Sequence, residues 1–255
     1  MLKFLRKGLL LYILLIVAGV HWLSVKRTTS WEQTLWVVIH PINGDGSVRS
    51  SEYIASLPND AFDVINKFIT EEAKHYKLPI ARPMKFALGA PISEQPPLPP
   101  REGSTFSLML WSLKLRYWAW QVDKGPNSGP RDINVFVRYF DPETSPHLAH
   151  SLGLQKGLIG VVNAFATRTQ AGSNKFIIAH EVLHTLGATD KYDPITGQPI
   201  YPDGYADADV DPLYPQKLAE VMGGRIPIQP TESRIPKSLN SVVVGIATAK
   251  EIGWR

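Results

Sequence analysis

The feature that most restricts the fold of this chain is the segment His-Glu-Val-Leu-His-Thr-Leu-Gly-Ala-Thr-Asp, which begins at His180 and ends at Asp190. On a helix, His180 and His184 project from one face, so both imidazoles can bind one metal ion. Gly187 can adopt a positive φ angle, which ends a helix abruptly. The segment therefore predicts a helix that stops at Gly187, followed by a return of the chain that brings Asp190 to the same ion. The alternative is a helix with two unrelated surface histidines.

The residue types in this segment indicate a catalytic metal site. The chain has no cysteine, so thiol ligands and a thiol nucleophile are excluded, and metal ligands must come from histidine, aspartate and glutamate. Two neutral imidazoles, from His180 and His184, and the carboxylate of Asp190 leave a tetrahedral Zn²⁺ with one open position for water. Glu181 lies next to the first ligand, where it can accept a proton from that water. We therefore expect one catalytic zinc ion and Glu181 as the general base.

Other acidic residues are alternatives for the third ligand. Asp193 lies close to Asp190 in sequence, although the spacing favours Asp190. Glu220 or Glu232 would be a distant third ligand of the kind found in proteases that resemble thermolysin. The glycine at 187, with Asp190 shortly after it, argues against a distant ligand, because it predicts an immediate return of the chain.

Further clusters of potential ligands lie outside the segment. His147 and His150 form either a second, structural zinc site or a pair of surface histidines. Residues 190–215 are rich in aspartate, proline, glycine and tyrosine, which is typical of a loop. Their spacing does not match a helix-loop-helix calcium site, so a solvated acidic loop is the favoured interpretation over calcium binding. The aspartates concerned are Asp203, Asp207, Asp209 and Asp211.

The extended pattern His-Glu-x-x-His-x-x-Gly-x-x-Asp resembles the signature of the metzincin clan of zinc endopeptidases. The clan has a third histidine where this chain has Asp190, and a minority that resembles snapalysin, a small secreted bacterial protease, has aspartate there. The clan also has a methionine in a tight turn beneath the metal, and Met222 in Ala-Glu-Val-Met-Gly-Gly matches it. The match covers roughly residues 176–224. It implies a zinc endopeptidase in which Gly187 and Met222 support the site.

One departure from the clan concerns the group that stabilises the transition state. Many members have a tyrosine two residues after the turn methionine, where this chain has Gly224. Another tyrosine is therefore needed to donate a hydrogen bond to the developing oxyanion. The candidates are Tyr192, Tyr201 and Tyr205, and the alternative for each is a purely structural role.

Hydrophobic patterning predicts an α+β fold. The predicted strands are 34–40, 84–88, 132–140 and 158–166, and the predicted helices are 58–76, 173–186 and 239–252. The resemblance implies a twisted, mostly parallel sheet with an antiparallel edge strand, an active-site helix, and a smaller C-terminal subdomain with a terminal helix. It also implies that Leu158–Ala166 is the antiparallel edge strand, to which an extended substrate adds as a further strand.

The segment Thr105–Trp120 has no counterpart in the clan. Its apolar residues cover nearly the whole circumference of a helix, which is typical of a buried helix. We expect a core helix here. A surface that contacts a bilayer or an apolar substrate group is the alternative.

The N-terminal segment differs from the rest in charge and hydropathy. Residues 1–27 carry five basic and no acidic side chains, which leaves residues 28–255 with 22 basic and 23 acidic side chains and a net charge of −1. A nucleic-acid partner is therefore not expected. Residues 8–25 carry no formal charge and as a helix would span about 27 Å, enough for a bilayer core. We expect residues 1–27 to be a transmembrane signal anchor, with the N-terminus cytoplasmic and a catalytic domain, 28–255, outside the cytoplasm; a cleaved signal peptide would instead release a secreted enzyme.

Together these features predict a membrane-anchored zinc endopeptidase that acts on a peptide or protein and contacts the membrane through residues 8–25. Two alternatives stay open. One is a zinc amidohydrolase that cleaves a non-peptide amide, and the other is a non-catalytic, membrane-tethered binding module with a degenerate site. Glu181 favours an enzyme, because a binding module has no need of a general base.

Overall fold

The computed structural model describes residues 2–100, 104–122, 131–155 and 157–255. Its helices are α1 (Leu2–Thr29), α2 (Val48–Ala55), α3 (Asp63–His75), α4 (Thr105–Val122), α5 (Ala171–Thr185) and α6 (Ile246–Glu251). Its strands are β1 (Leu35–Asn43), β2 (Met84–Leu88), β3 (Ile133–Phe140), β4 (Leu152–Leu154), β5 (Ile159–Phe165), β6 (Ala219–Glu220), β7 (Ile226–Gln229), β8 (Glu232–Arg234) and β9 (Val242–Val243). The chain is thus mixed α and β, which agrees with the predicted α+β class.

The main sheet has five strands in the order β2-β1-β3-β5-β4. All neighbours are parallel except β4, which pairs antiparallel with β5. The prediction of a mostly parallel sheet with an antiparallel edge strand is therefore confirmed. The assignment of Leu158–Ala166 to that edge is wrong. The corresponding strand, β5, lies between β3 and β4 and runs parallel to β3, and the edge is the short strand β4, which has no apolar alternation that would reveal it.

Both faces of the sheet are covered by helices. Successive residues of a strand point to opposite faces, so Val135 and Val137 of β3 pack with α3 and α5, whereas Phe136 packs with α4 on the other face. This double coverage explains the nearly continuous apolar runs in β3 and β5, because strands buried on both faces do not alternate.

Helix α4 buries only part of its surface. Leu115, Trp118 and Ala119 pack against the sheet. The expectation that the whole helix lies in the core is thus only partly met, because its outer face is apolar and exposed. The large hydrophobic residues exposed on α4 are Phe106, Leu108, Met109, Leu110, Leu113, Tyr117 and Trp120.

The C-terminal segment, residues 187–255, contains only short elements. The predicted loop at 190–215 contains no helix or strand of its own. The predicted terminal helix at 239–252 is shorter than expected, because Val242–Val243 pairs with β6 as β9 and only Ile246–Glu251 is helical.

The C-terminal end of α1 packs onto the domain. The Arg27 side chain pairs with Asp132, the residue before β3, with an Nε–Oδ1 distance of 3.1 Å. Trp31 is buried and donates from Nε1 to the carbonyl oxygen of Ile252 at 2.8 Å. The segment that follows α1 is therefore part of the core.

Among the residues that the structure describes, no helix combines the length and the apolar character needed to cross a membrane. A spanning helix needs about 20 consecutive, predominantly apolar residues. The finding contradicts the predicted single-pass localisation, in which residues 8–25 were expected to cross the bilayer and the catalytic domain to lie outside the cytoplasm.

Candidate metal centre

Helix α5 is attached to the sheet near its start by a buried amide. Asn174 Oδ1 accepts from the backbone N–H of Phe165 at 3.2 Å, and Asn174 Nδ2 donates to the carbonyl oxygen of Phe165 at 2.9 Å. Ser173 Oγ donates to the carbonyl oxygen of Pro236 at 2.9 Å. Neither side chain therefore caps the helix. The helix begins two residues earlier than Ser173, and both side chains tie it to neighbouring segments.

The end of α5 has the geometry that the sequence predicts. Gly187 has a φ angle of +106°. Its N–H donates to His184 O at 3.1 Å, and the N–H of Ala188 donates to Leu183 O at 3.1 Å. These two bonds form a Schellman motif, which satisfies the last helical carbonyls and reverses the chain. The reversal brings Asp190 back toward the face of α5 that carries the histidines.

Three side-chain atoms converge at this point. His180 Nε2 and His184 Nε2 are 3.1 Å apart, and Asp190 Oδ1 lies 3.2 Å from the first and 3.1 Å from the second. Ligand atoms about 2.0–2.1 Å from a tetrahedral zinc ion lie about 3.3 Å from one another. His180, His184 and Asp190 thus form a group that can hold a metal ion, with separations that fit this geometry.

The protonation of both rings supports the same interpretation. His180 Nδ1 lies 2.9 Å from Val221 O, and His184 Nδ1 lies 2.8 Å from Ala188 O. A carbonyl oxygen only accepts, so both Nδ1 atoms carry a proton and both Nε2 atoms of the neutral rings present lone pairs. Both Nε2 atoms thus face the carboxylate of Asp190, and in the neutral rings they can bind a metal ion together with it. In the ion-free site a proton takes that place: burial lowers the pKa of His180, but the hydrogen bond to Asp190 and the nearby Glu181 charge outweigh burial and raise it.

The turn that follows β6, residues 221–223, contacts both segments that carry the ligand group. Its Val221 carbonyl orients His180, as described above. The carbonyl oxygen of Met222 accepts from the backbone N–H of Lys191 at 2.9 Å, which fixes the residue next to Asp190. The Met222 side chain is fully buried. The predicted turn methionine is therefore adjacent to both ligand-bearing segments.

A buried carboxylate holds this turn in place. Glu220 Oε2 accepts from the backbone N–H groups of Met222 and Gly223, at 2.6 and 2.7 Å. Glu220 Oε1 accepts from the backbone N–H of Gly245 at 3.0 Å and from Thr248 Oγ1, in α6, at 2.7 Å. Burial raises the pKa of Glu220 even though these four bonds oppose the shift. Glu220 is thus a structural residue that links the turn to α6, and it is not in the ligand group.

The loop that carries Asp190 is also attached to α6. Glu251 accepts from the backbone N–H of Thr189 at 3.0 Å, from Thr189 Oγ1 at 2.7 Å and from Lys191 Nζ at 2.7 Å. Burial alone would raise the pKa of Glu251, but the bonds from Lys191 and Thr189 outweigh it and lower the pKa. The residues on both sides of Asp190 are therefore held by one carboxylate.

Glu181 is the buried acidic residue beside the ligand group. Its side chain is 6% exposed, and Oε2 has no hydrogen-bond partner among the described residues. Burial raises its pKa, although the nearby charges of His180 and His184 oppose the shift. A free carboxylate whose pKa is shifted toward neutrality has the properties of a general base.

A cleft of about 750 Å³ opens onto His180 and Glu181. One rim, residues 148–151, leads into the edge strand β4 and is anchored by Asn163. Asn163 Nδ2 donates to the carbonyl oxygens of Ala149 and His150 at 3.1 and 3.2 Å. The sequence analysis did not identify Asn163. The available signal was a single amide inside the apolar run Leu-Ile-Gly-Val-Val-Asn-Ala-Phe-Ala, since a buried amide needs specific partners.

Tyr192 is the tyrosine that lies in the cleft. Its ring centroid is 6.2 Å from that of His180. A Cβ atom built on Gly224 would lie 3.4 Å from Tyr192 Cδ1, so the ring of Tyr192 covers the space beside Gly224. Burial and the nearby Asp190 carboxylate raise the pKa of Tyr192 to about 12, so its hydroxyl stays protonated at neutral pH.

The remaining candidates lie outside the ligand group, although His150 is on the rim of the cleft. Asp193 accepts hydrogen bonds from Ile195 and Thr196 within its own turn. The Tyr205 hydroxyl is bonded to the Tyr214 hydroxyl at 2.7 Å. Within the described ranges no other group of three histidine, aspartate or glutamate residues can hold an ion. The other candidates are all exposed: His147, His150, Tyr201, Asp203, Asp207, Asp209, Asp211 and Glu232.

Comparison of the sequence with models of known protein families gives no match, and comparison with curated proteins gives none either. The metzincin relationship therefore stays a prediction that rests on the motif residues.

Proposed function

We propose that this protein is a zinc-dependent endopeptidase. The observation that carries the proposal is the convergence of two imidazole nitrogens and one carboxylate beside the Glu181 carboxylate, whose Oε2 has no partner among the described residues, with a cleft that opens onto His180 and Glu181. The donor set of two histidines and one aspartate suits zinc, and three protein ligands are typical of a catalytic rather than a structural zinc site. The edge position of β4, next to the cleft, suits an extended peptide that adds to the sheet.

In the proposed reaction His180, His184 and Asp190 hold the ion. Bound zinc polarises a carbonyl group and makes a water molecule more acidic. Glu181 accepts the proton of the attacking water and then returns it to the amine that leaves, so the same carboxylate acts first as base and then as acid. Burial of Glu181 keeps its charge unscreened by bulk water, which strengthens its action on that proton.

Tyr192 is the proposed donor to the carbonyl oxygen as this oxygen gains negative charge. It faces the cleft with Glu181, and its raised pKa keeps the proton that it must share. A preorganised donor of this kind contributes about 10²- to 10³-fold to the rate.

The proposal is tested with the full chain and two variants. Glu181→Gln should bind one zinc ion per chain and lose about 10²- to 10⁴-fold in hydrolysis of a peptide mixture, the range for general base catalysis. Glu232→Gln, a matched change at an exposed glutamate outside the cleft, should retain full activity. Zinc content is measured by mass spectrometry and cleavage by peptide mapping, with and without a chelator.

The results separate this proposal from the alternatives. Full activity in Glu181→Gln would rule out its role as base. An uncut peptide mixture beside a cleaved small amide would indicate a non-peptide amidohydrolase. Zinc binding without turnover of any amide would indicate a binding module.

A further inference from the structure

The charges along the cleft are of one sign beyond the metal centre. Apart from the ligand group and Glu181, the formally charged side chains among the described lining residues are Arg225 and Lys237. Neither forms a hydrogen bond or an ion pair with any residue in the described parts of the chain. Two unpaired cations in a concave surface attract an anionic group.

Arg225 is placed by the turn that supports the site. It follows Gly224 directly, and a Cβ atom built on Gly197 would lie 3.5 Å from Arg225 Nε. The guanidinium group therefore lies against the backbone of the 190–215 loop, on the side of the cleft that also contains Tyr192. Its five donors are suited to a carboxylate.

Lys237 is placed at the first turn of α5. A Cβ atom built on Gly172 would lie 2.0 Å from the carbonyl oxygen of Lys237, so the two backbones are in close contact. The start of α5 also lines the cleft, through Gln170 and Ser173. The partial positive charge of a helix N-terminus adds to that of the lysine.

Much of the cleft lining is apolar. The apolar lining residues include Phe165, Phe176, Ile177 and Ile235. A side chain with an apolar stem and an anionic end matches such a surface. On the basis of the proposed function, we propose that the cleft selects peptides that carry an acidic side chain close to the bond that is cut, and that Arg225 and Lys237 determine this preference.

The test compares peptides that differ at one position. A peptide that the wild-type full chain cuts is synthesised with Glu, Gln or Lys at each position that flanks the cleaved bond. At one of these positions the wild type should cut the Glu peptide about 10-fold faster in kcat/KM than the Gln peptide, equivalent to about 1.4 kcal/mol, and the preference should shrink with added salt. The charge-reversal variant Arg225→Glu/Lys237→Glu should lose this preference or favour Lys. Lys217→Glu, a reversal at an exposed lysine outside the cleft, should retain it.

Two outcomes would overturn the inference: equal cutting of the Glu and Gln peptides by the wild type, or a preference that survives in Arg225→Glu/Lys237→Glu. A calorimetric titration of Glu181→Gln with the same peptides separates binding from turnover. If the wild type cuts no peptide of the mixture, the proposed function fails, and the Glu, Gln and Lys series for the titration is then built on an uncut peptide of that mixture. Tighter binding of the Glu form would then still support acidic selection, whereas equal binding would overturn that as well.

Discussion

Substitution of Gly153 by alanine tests how closely the edge strand approaches the catalytic helix. A Cβ atom at this position in β4 would lie 2.2 Å from the carbonyl oxygen of Glu181 and 2.6 Å from the Cβ atom of His184. Neither atom can rotate away, because one is backbone and the other is fixed to it. Ordinary contacts between such atoms are about 3.5–4.0 Å. Strand β4 and α5 must therefore separate by more than about 1 Å.

The expected cost follows from this displacement. Overpacking a close-packed interior costs about 1–3 kcal/mol, and a clash with backbone belongs in the upper half of that range. Replacement of glycine by alanine also lowers the conformational entropy of the unfolded chain, which stabilises the folded state by only about 0.4–1 kcal/mol. We expect Gly153→Ala to be destabilised by about 2 kcal/mol, which lowers Tm by about 4–8 °C. Zinc affinity should also fall, because the displaced helix carries His184.

Gly160 provides a matched control, since it lies directly opposite Gly153 in the β4–β5 pair. A Cβ atom there would lie 3.5 Å from Val135 Cγ1, which is an ordinary contact. Thermal denaturation and zinc titration of both variants complete the test. Gly160→Ala should match or slightly exceed the wild type in Tm. Equal Tm values and equal zinc affinities for the two variants would refute the close contact.

Three other changes test the support of the site. Gly187→Ala forces a side chain into the positive φ region and within 2.7 Å of a neighbouring amide, so it should lower the free energy of unfolding by about 1–2 kcal/mol in urea titrations. The pKa of Glu251 is lower in the folded state than in the unfolded chain. Ionised Glu251 therefore stabilises the fold at pH values above its unfolded-state pKa, and this stabilisation is lost as the pH falls through its folded-state pKa. The metal-free wild type should thus lose more stability than Glu251→Gln between pH 6 and pH 3 in the same titrations; equal losses would contradict the role of the Lys191 pair. Tyr192→Phe should keep one zinc per chain and reduce kcat by about 10²- to 10³-fold, whereas an unchanged kcat would remove Tyr192 as the donor.

The ligand group could be predicted from sequence because its geometry is almost entirely local. The spacing of His180 and His184 fixes their common face, and Gly187 fixes the reversal. The short connection between Gly187 and Asp190 then restricts where the Asp190 carboxylate can lie. The mostly parallel sheet was implied by the resemblance to the metzincin clan, and the nearly continuous apolar runs of its interior strands agree with it.

The elements that were mispredicted depend on contacts distant in sequence. Strand β4 is three residues long with a central glycine, and its neighbourhood is fixed by Asn163 rather than by an apolar pattern. Helix α4 is apolar around its circumference, so its sequence cannot distinguish the buried face from the exposed one. The choice of Tyr192 over the other two tyrosines depends on the path of the 190–215 loop, which carries no periodic signal.

The geometry of the ligand group also depends on residues far from the motif in sequence. Asp190 is held between residues that both contact Glu251, and His180 is oriented by a turn that Glu220 fixes to Thr248. Both restraints end on α6, which lies about sixty residues beyond the motif in sequence. These contacts fix the backbone on both sides of Asp190 and the orientation of the His180 ring. We therefore expect the stability of α6 to contribute to metal affinity, although none of its residues is in the ligand group.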